Sequence, residues 1–178
     1  MRVVHMSGAG NDFMVIDARG MTLDFEALSK KLCAITGADG FMAVDDSEVA
    51  DFRLHFYNSD GTRGEMCGNG ARCICKFAYD NGIAGAAMTV QTDAGLVPGW
   101  RLEENRYQVK LNNPGVMDLK RRPDAAYVEL GDPGVPHSVT EVPGLDYSMK
   151  EELRPLAQKL RHAPEFPKGA NANLYCWL

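Results

Sequence analysis

The sequence predicts an α+β fold. Short apolar runs and segments that alternate apolar with polar residues recur along the chain, and both patterns are typical of β-strands. Two or three stretches instead place apolar residues three and four positions apart, which indicates helices interspersed among the strands. The 178 residues are 45% hydrophobic and 24% charged, so the chain has the composition of an ordinary globular protein with a buried core.

A glycine-rich loop between two short strands is predicted at the N-terminus. Residues 3–6 and 13–17 are the apolar runs, and Ser7-Gly8-Ala9-Gly10-Asn11-Asp12 separates them. The loop lacks the G-x-G-x-x-G register and the G-K-[ST] ending of phosphate-binding loops, so it is a poor nucleotide site. A better interpretation is a turn that presents the Asn11 amide, both donor and acceptor, beside a strand.

A capped helix and two strands follow this loop. Asp24 is the predicted N-cap and Gly37 the predicted stop of a helix that carries Phe25, Leu28, Leu32 and Ile35. Residues 41–44 predict a strand, and residues 52–57 alternate as a half-buried strand does. Asn58-Ser59-Asp60-Gly61 has the composition of a turn, and turn formation is the default role of such an asparagine.

A second helix is predicted over residues 68–79, with Asn81-Gly82 as its stop. Its apolar face repeats at i, i+3, i+4 and i+7 and consists of Ala71, Ile74, Cys75 and Ala78. Three further strands are predicted over residues 88–92, 96–102 and 107–111.

Asn112-Asn113-Pro114-Gly115 is the best candidate for a domain boundary, which divides the chain into residues 1–115 and 116–178. The second part predicts a strand over 127–130, a loop over 131–136 and a helix over 150–160. Residues 173–178 predict a buried strand with an apolar edge, either the natural last strand of a sheet or a sign of a longer protein. We favour the longer protein, because few residues follow Gly115 for an independent core.

Several classes of protein are excluded by composition. The net charge is −5 and Lys120-Arg121-Arg122 is the longest basic cluster, so nucleic-acid binding is not expected. No apolar run is long enough to span a bilayer, and the N-terminus resembles no targeting peptide. Five cysteines without regular spacing do not form a secreted disulfide scaffold, which favours a cytoplasmic location.

Cys67 carries the strongest chemical signal. It stands in Met66-Cys67-Gly68-Asn69-Gly70, where a glycine-rich turn opens a helix. The first N–H groups of a helix have no partners within it, so they bind anions such as a carboxylate and favour a thiolate over a thiol. The helix end alone does not make the sulfur a good base, so a cationic substrate group or further N–H donors must help. A zwitterionic amino acid meets these needs.

Competing interpretations of the cysteines remain open at this point. Cys67 is either the reactive group or a small buried apolar residue, and the predicted core cysteines are Cys33, Cys73, Cys75 and Cys176. A metal site or a Cys67–Cys73 redox pair is disfavoured by spacing.

The motifs together resemble the diaminopimelate epimerase family. They are Gly8-Ala9-Gly10-Asn11-Asp12-Phe13, Asn58-Ser59-Asp60-Gly61, the segment from Met66 to Cys73, and Phe166-Pro167-Lys168-Gly169-Ala170-Asn171. The resemblance implies a pseudo-symmetric two-domain α+β fold with the site in the cleft, no cofactor or metal, and two catalytic cysteines, one on each domain. By motif, Cys67 is the first catalytic cysteine, and the substrate-binding positions are Asn11, Asn58, Gly68, Asn69 and Asn171.

This sequence departs from the family pattern at three points. Val135 stands where members carry an asparagine, and Gly40 stands where many carry a binding glutamine. The second cysteine motif, Ala-Cys-Gly-Thr-Gly, does not occur in these 178 residues. We therefore expect a C-terminally truncated chain, with residues 116–178 as the incomplete start of the second domain, that holds half a site and is inactive alone.

The expected function is the interconversion of LL- and meso-diaminopimelate for lysine and peptidoglycan precursor synthesis. The expected partners are a small zwitterionic amino acid and a possible second copy of the chain, with neither nucleic acid nor membrane. Two alternatives remain, a proline racemase-like epimerase and a non-catalytic fragment that binds a small molecule.

Overall fold

The computed structural model describes residues 1–64, 66–131 and 134–177. The chain forms two compact units, Met1–Leu111 and Asn112–Leu178, which are described separately below. Among the helices of the described residues, none has the length and apolarity needed to cross a membrane.

The first unit is built on a seven-stranded sheet whose strands lie side by side in chain order. The pairs β2–β3 and β4–β5 are parallel, whereas the other four neighbouring pairs are antiparallel. The strands are β1 (Val3–Gly8), β2 (Asn11–Asp17), β3 (Gly40–Asp45), β4 (Phe52–Asn58), β5 (Ala87–Thr92), β6 (Gly95–Glu103) and β7 (Arg106–Val109).

Two helices make the crossovers between the parallel strands. Helix α1 (Phe25–Thr36) joins β2 to β3, and α2 (Gly68–Asp80) joins β4 to β5. Asp24 caps α1 by accepting the N–H of Ala27, and Gly37 ends it in the left-handed conformation with φ 74°. The predicted strands and both helices of this unit are confirmed, with ends shifted by a few residues.

The helices pack against opposite faces of the sheet. In β2, Phe13 and Val15 contact the core on the α2 side, whereas Met14 and Ile16 contact the core on the α1 side. Because β2 and β3 are covered on both faces, they are nearly continuous apolar runs, whereas the neighbouring β4 alternates apolar with polar residues. The prediction that Ile35 belongs to the apolar face of α1 is wrong, since this side chain is 73% exposed. It follows Cys33 by two positions and points away from the sheet side of the helix.

The second unit is a four-stranded sheet with the order β11-β10-β9-β8 and one helix. Tyr127, Leu160 and Phe166 are the largest members of its core. Helix α3, which follows a 3-10 turn at Tyr147–Met149, confirms the prediction over 150–160. The elements are β8 (Pro114–Asp118), β9 (Ala126–Leu130), β10 (Val135–Glu141), α3 (Lys150–Arg161) and β11 (Asn171–Tyr175).

Two predictions for this unit are corrected. Val135, placed in the predicted loop, begins β10, whereas Asp132 and Pro133 of that loop lie outside the described residues. The C-terminal segment is not buried. It pairs only with β10, at the edge of the sheet, so alternate residues face solvent. Trp177, which follows this strand, is 80% exposed. Leu178, the last residue of the predicted strand, lies outside the residues that the structure describes.

A strained two-residue turn closes the β1–β2 hairpin. Gly8 pairs with Asn11, and the turn residues Ala9 and Gly10 have φ values of 50° and 88°. Positive φ at both positions is the geometry that suits a tight hairpin, but it disfavours a residue with a Cβ. Among the described residues other than glycine, Ala9 alone has positive φ.

We expect Ala9→Asn to stabilise the first unit by about 1 kcal/mol, because asparagine adopts the left-handed region more readily than alanine. The measurement is urea unfolding followed by Trp100 fluorescence in a Trp177→Phe background. Ala86→Asn, an exposed position without positive φ, is the control and should bring no gain. Equal effects of the two substitutions would contradict the assignment of strain to Ala9.

Candidate active site

Cys67 is the N-cap residue of α2. Its backbone is extended (φ −132°, ψ 116°), and its Sγ accepts the N–H of Gly70 at 3.4 Å. Its carbonyl oxygen accepts the N–H of Ala71 at 2.7 Å, which begins the helix. Serine, threonine, aspartate or asparagine normally fills this position with an oxygen acceptor. Here a sulfur atom receives the helix N–H and stands at the positive end of the helix dipole.

Two further N–H groups lie in the first turn of the same helix. The backbone N–H groups of Gly68 and Asn69 make no hydrogen bond to any residue that the structure describes. Cys67, Gly68 and Asn69 are all half-buried, so solutes have access to them. The start of α2 therefore combines a half-exposed thiol with N–H groups available to an anion.

Glycines allow the start of α2 to pack directly on the hairpin. A Cβ at Gly8 would lie 2.6 Å from the Sγ of Cys73 and 3.2 Å from the carbonyl oxygen of Asn69. A Cβ at Gly70 would lie 3.1 Å from the Sδ of Met42. The two glycine-rich motifs, far apart in sequence, are thus the two surfaces of one close contact.

Hydrogen bonds between side chains join the same two motifs. The Nδ2 group of Asn69 donates to Oδ1 of Asn11 at 2.8 Å, and Nδ2 of Asn11 donates to Oδ2 of Asp39 at 3.3 Å. The guanidinium of Arg72 donates through Nη2 to Oδ1 of Asn69. Asp39 also accepts the backbone N–H of Asp12 at 2.9 Å, which holds its carboxylate at the start of β2.

Asn58 lies at the same end of the sheet, but its side chain is engaged in a turn. It pairs with Gly40, the neighbour of Asp39, and its Nδ2 donates to Oγ1 of Thr62 at 2.9 Å. The Thr62 hydroxyl and N–H in turn donate to Asp60, and these bonds lower the pKa of the Asp60 carboxyl. The structure therefore gives Asn58 the turn role that its sequence context makes the default.

Gly40 has no room for a side chain. A Cβ there would lie 2.8 Å from Cε2 of Phe56 and 3.0 Å from the carbonyl oxygen of Tyr57. The Phe56 ring also meets Phe13 edge-on, with 6.1 Å between ring centroids. Where many relatives are expected to carry a glutamine, this chain has a phenylalanine ring against the backbone.

Burial separates the five cysteines, none of which forms a disulfide. Cys33, Cys73 and Cys75 are buried, as predicted, and burial raises the pKa of each thiol, that of Cys75 to about 12. The prediction that Cys176 is a core residue is wrong: it is half-buried at the sheet edge, 3.6 Å from the carbonyl oxygen of Leu145. Within the described ranges, no three His, Cys, Asp or Glu side chains form a possible metal site.

Asn171 belongs to the second unit, where it is the first residue of β11. It is exposed, and its Oδ1 lies 3.5 Å from Nη1 of Arg161. Lys168, in the same motif, donates to Glu129 at 3.2 Å, and this contact together with the Tyr127 hydroxyl lowers the pKa of the Glu129 carboxyl. Five of the six predicted site residues thus lie in the first unit, four of them at the start of α2 and its hairpin contact.

Comparison with known proteins decides the family. The sequence model described as diaminopimelate epimerase matches residues 3–115. A curated diaminopimelate epimerase from Caldanaerobacter subterraneus subsp. tengcongensis is 34% identical over 198 residues, which cover 97% of this chain and 70% of that protein. The chain belongs to the diaminopimelate epimerase family. A second relative with that name, from Aquifex aeolicus, is 35% identical, with 94% of this chain and 66% of the relative covered.

The chain spans about two thirds of the length of these epimerases. Solved structures agree with the α+β fold. A PhzF-family phenazine biosynthesis protein from Bacillus anthracis matches 99% of this chain and 67% of its own, with TM-score 0.71 at 20% identity. A probable proline racemase from Agrobacterium radiobacter K84 matches 94% of this chain and 64% of its own, with TM-score 0.65 at 14% identity. At these identities the likeness shows the fold that the epimerase family shares.

Two residues of the site were not predicted from the sequence. Arg72 follows Asn69 by three positions, and this spacing on the predicted helix places both on one face, so it was a usable signal. Asp39 gave no local signal, because its contact with Asn11 spans 28 positions and depends on the pairing of β2 with β3.

For this member of the epimerase family, we expect a neutral alkylating reagent at neutral pH to modify Cys67 and Cys176 in the folded protein. Cys33, Cys73 and Cys75 should react about tenfold more slowly or only in denaturant, since burial keeps them protonated and inaccessible. Peptide mass spectrometry over a time course measures the five rates. Rapid native modification of Cys73 or Cys75 would contradict the packing of α2.

Proposed function

We propose that the protein supplies one half of a diaminopimelate epimerase site, in which Cys67 is one of the two thiols that exchange the α-proton of LL- and meso-diaminopimelate. The observation that carries the proposal is the half-buried sulfur at the N-cap of α2, which accepts the Gly70 N–H at the helix end where Asn69 is bonded to Asn11. The names and coverage of the curated relatives support the substrate.

Inversion at the α-carbon requires proton removal from one face and proton return to the other. In the proposed reaction, the Cys67 thiolate takes the α-proton and becomes a thiol, and the electron pair left on carbon is delocalised into the carboxylate. A thiol on the opposite face then gives its proton to the carbon and becomes a thiolate. In the reverse direction the two sulfurs exchange roles.

The surroundings of Cys67 suit both the base and the developing charge. The Gly70 N–H donates to the sulfur at the positive end of α2, so a hydrogen-bond donor is already in place for the sulfur that acts as base. The N–H groups of Gly68 and Asn69 are suited to hold the substrate carboxylate, where negative charge grows as the proton leaves. Donors already fixed by a helix need no rearrangement at that moment.

The second thiol is not expected from this chain's other cysteines. Cys73 is six residues further along α2, about 9 Å along the helix axis, and it is buried against Gly8. Cys33 and Cys75 are buried as well, and Cys176 has no glycine-rich surroundings. We therefore propose that the 178-residue chain alone binds substrate but does not invert it.

The chemistry also suits a reducing compartment. A thiol that must remain unoxidised to act is best kept in the cytoplasm, which is the location we propose.

The test is protection of Cys67 from alkylation, in a Cys176→Ser background that leaves Cys67 as the accessible thiol. We expect saturating meso-diaminopimelate to slow iodoacetamide modification about tenfold, because the substrate carboxylate occupies the groups around the sulfur. L-Proline at the same concentration should give no protection. Cys67→Ser is the control that should abolish labelling.

Equal labelling rates with and without diaminopimelate would contradict the proposed substrate, and protection by proline alone would favour a racemase of the proline type. Incubation of the chain with meso-diaminopimelate in D₂O tests the half-site directly. Complete conversion to the equilibrium mixture of isomers by this chain would refute the need for a second thiol from elsewhere.

A further inference from the structure

We propose that Arg72 is a positioning residue that fixes which way the amides of Asn69 and Asn11 face, so that both offer N–H groups to a substrate carboxylate. The proposal rests on the proposed function for the ligand, an amino-acid carboxylate. The arrangement of the amides themselves is independent of that function.

Four side chains form a series of hydrogen bonds from Arg72 through Asn69 and Asn11 to Asp39, and the chemistry of Arg72 and Asp39 determines its direction. A guanidinium only donates, so the Asn69 atom that faces Arg72 must be the amide oxygen. The NH₂ group of Asn69 then faces Asn11 and donates to its amide oxygen. The NH₂ group of Asn11 consequently faces Asp39, whose carboxylate oxygen accepts from it and from the Asp12 N–H.

A neutral residue at either end would remove this constraint. An amide can rotate by half a turn and exchange its oxygen with its nitrogen at almost no change in shape. With Arg72 and Asp39 in place, rotation of either amide would set oxygen against oxygen or donor against donor. The orientation of both amides is therefore set by a donor-only group and an acceptor-only group that need not touch the substrate.

The orientation of the two amides determines whether their unused hydrogen-bonding groups are N–H donors or oxygen acceptors. Each NH₂ group has two N–H bonds, one of which donates to the next residue in this series of hydrogen bonds. One donor on Asn69 and one on Asn11 therefore remain. Asn69 is the second residue of α2 and Asn11 is bonded to it, so both amides belong to the start of this helix. Rotated amides would offer oxygens, which repel a carboxylate, so Arg72 acts on binding through Asn69.

Arg72 is well placed to act through Asn69. It is half-buried on the first turns of α2, and among the described residues its side chain has no acidic partner. Lys76, one turn further along the same helix, is also half-buried but pairs with Asp80 at 2.9 Å. Lys76 is therefore a matched control for the loss of one positive charge.

The experiment compares Arg72→Gln, Arg72→Lys and Lys76→Gln in the full chain with ¹⁵N-labelled asparagine. We expect Arg72→Gln to shift the side-chain NH₂ signals of Asn69 and Asn11. The concentration of meso-diaminopimelate needed to protect Cys67 should rise about tenfold. Arg72→Lys keeps a donor-only group and should restore protection to within about threefold of the unsubstituted chain. Lys76→Gln should leave both the signals and the protection unchanged.

Unchanged Asn69 and Asn11 signals in Arg72→Gln would overturn the proposal. If diaminopimelate fails to protect even the unsubstituted chain, the proposed substrate is wrong, but the NMR comparison still decides the role of Arg72.

A measurement without substitution covers the case in which Arg72→Gln does not fold. The side-chain NH₂ groups of Asn69 and Asn11 should exchange with solvent about tenfold more slowly than that of Asn105, which is exposed and makes no side-chain hydrogen bond to the described residues. Equal exchange rates would also overturn the proposal.

Discussion

The close approach of α2 to the β1–β2 hairpin is the constraint on which the rest of the site depends. Gly8 lies so near the Asn69 carbonyl and the Cys73 sulfur that no side chain fits between the two elements. The approach lets the amide of Asn69 reach that of Asn11 across 58 positions of sequence. Cys67, Gly68 and Asn69 are half-buried at this contact, and Cys67 packs against the margin of the core.

Charge and burial then assign different properties to similar groups. Burial raises the pKa of three thiols that are packed between sheet and helices, whereas Cys67 is half-buried at the N-cap of α2 and accepts a helix N–H. The asparagines divide in the same way. Asn58 serves its own turn, while Asn69 and Asn11 lie between a guanidinium and a carboxylate that leave them no alternative orientation.

The sequence was most informative where structure is local. Asp24 and Gly37 mark the ends of α1, and the spacing of Ala71, Ile74 and Cys75 identifies the buried face of α2, because caps and helical periodicity depend on neighbours within a few positions. The same reasoning placed Cys67 at a helix start.

Features that depend on pairing between strands distant in sequence could not be predicted from the sequence. Nothing near Asp39 indicates that β2 and β3 bring it to Asn11, and nothing near the C-terminus shows that β11 occupies a sheet edge rather than its centre. The resemblance to a family predicts Asn11 and Asn69 as binding residues, but only the folded chain shows that they are hydrogen-bonded to each other and that Arg72 is bonded to Asn69.

The most direct measurement of the central claim is a double-mutant cycle between Asn11→Ala and Asn69→Ala, with unfolding of the first unit followed by Trp100 fluorescence in a Trp177→Phe background. If the two amides join the hairpin to the helix as described, the two substitutions should be coupled by about 1 kcal/mol. Strictly additive losses of stability would show that the two motifs do not bond to each other, and the account of the site built on their contact would be wrong.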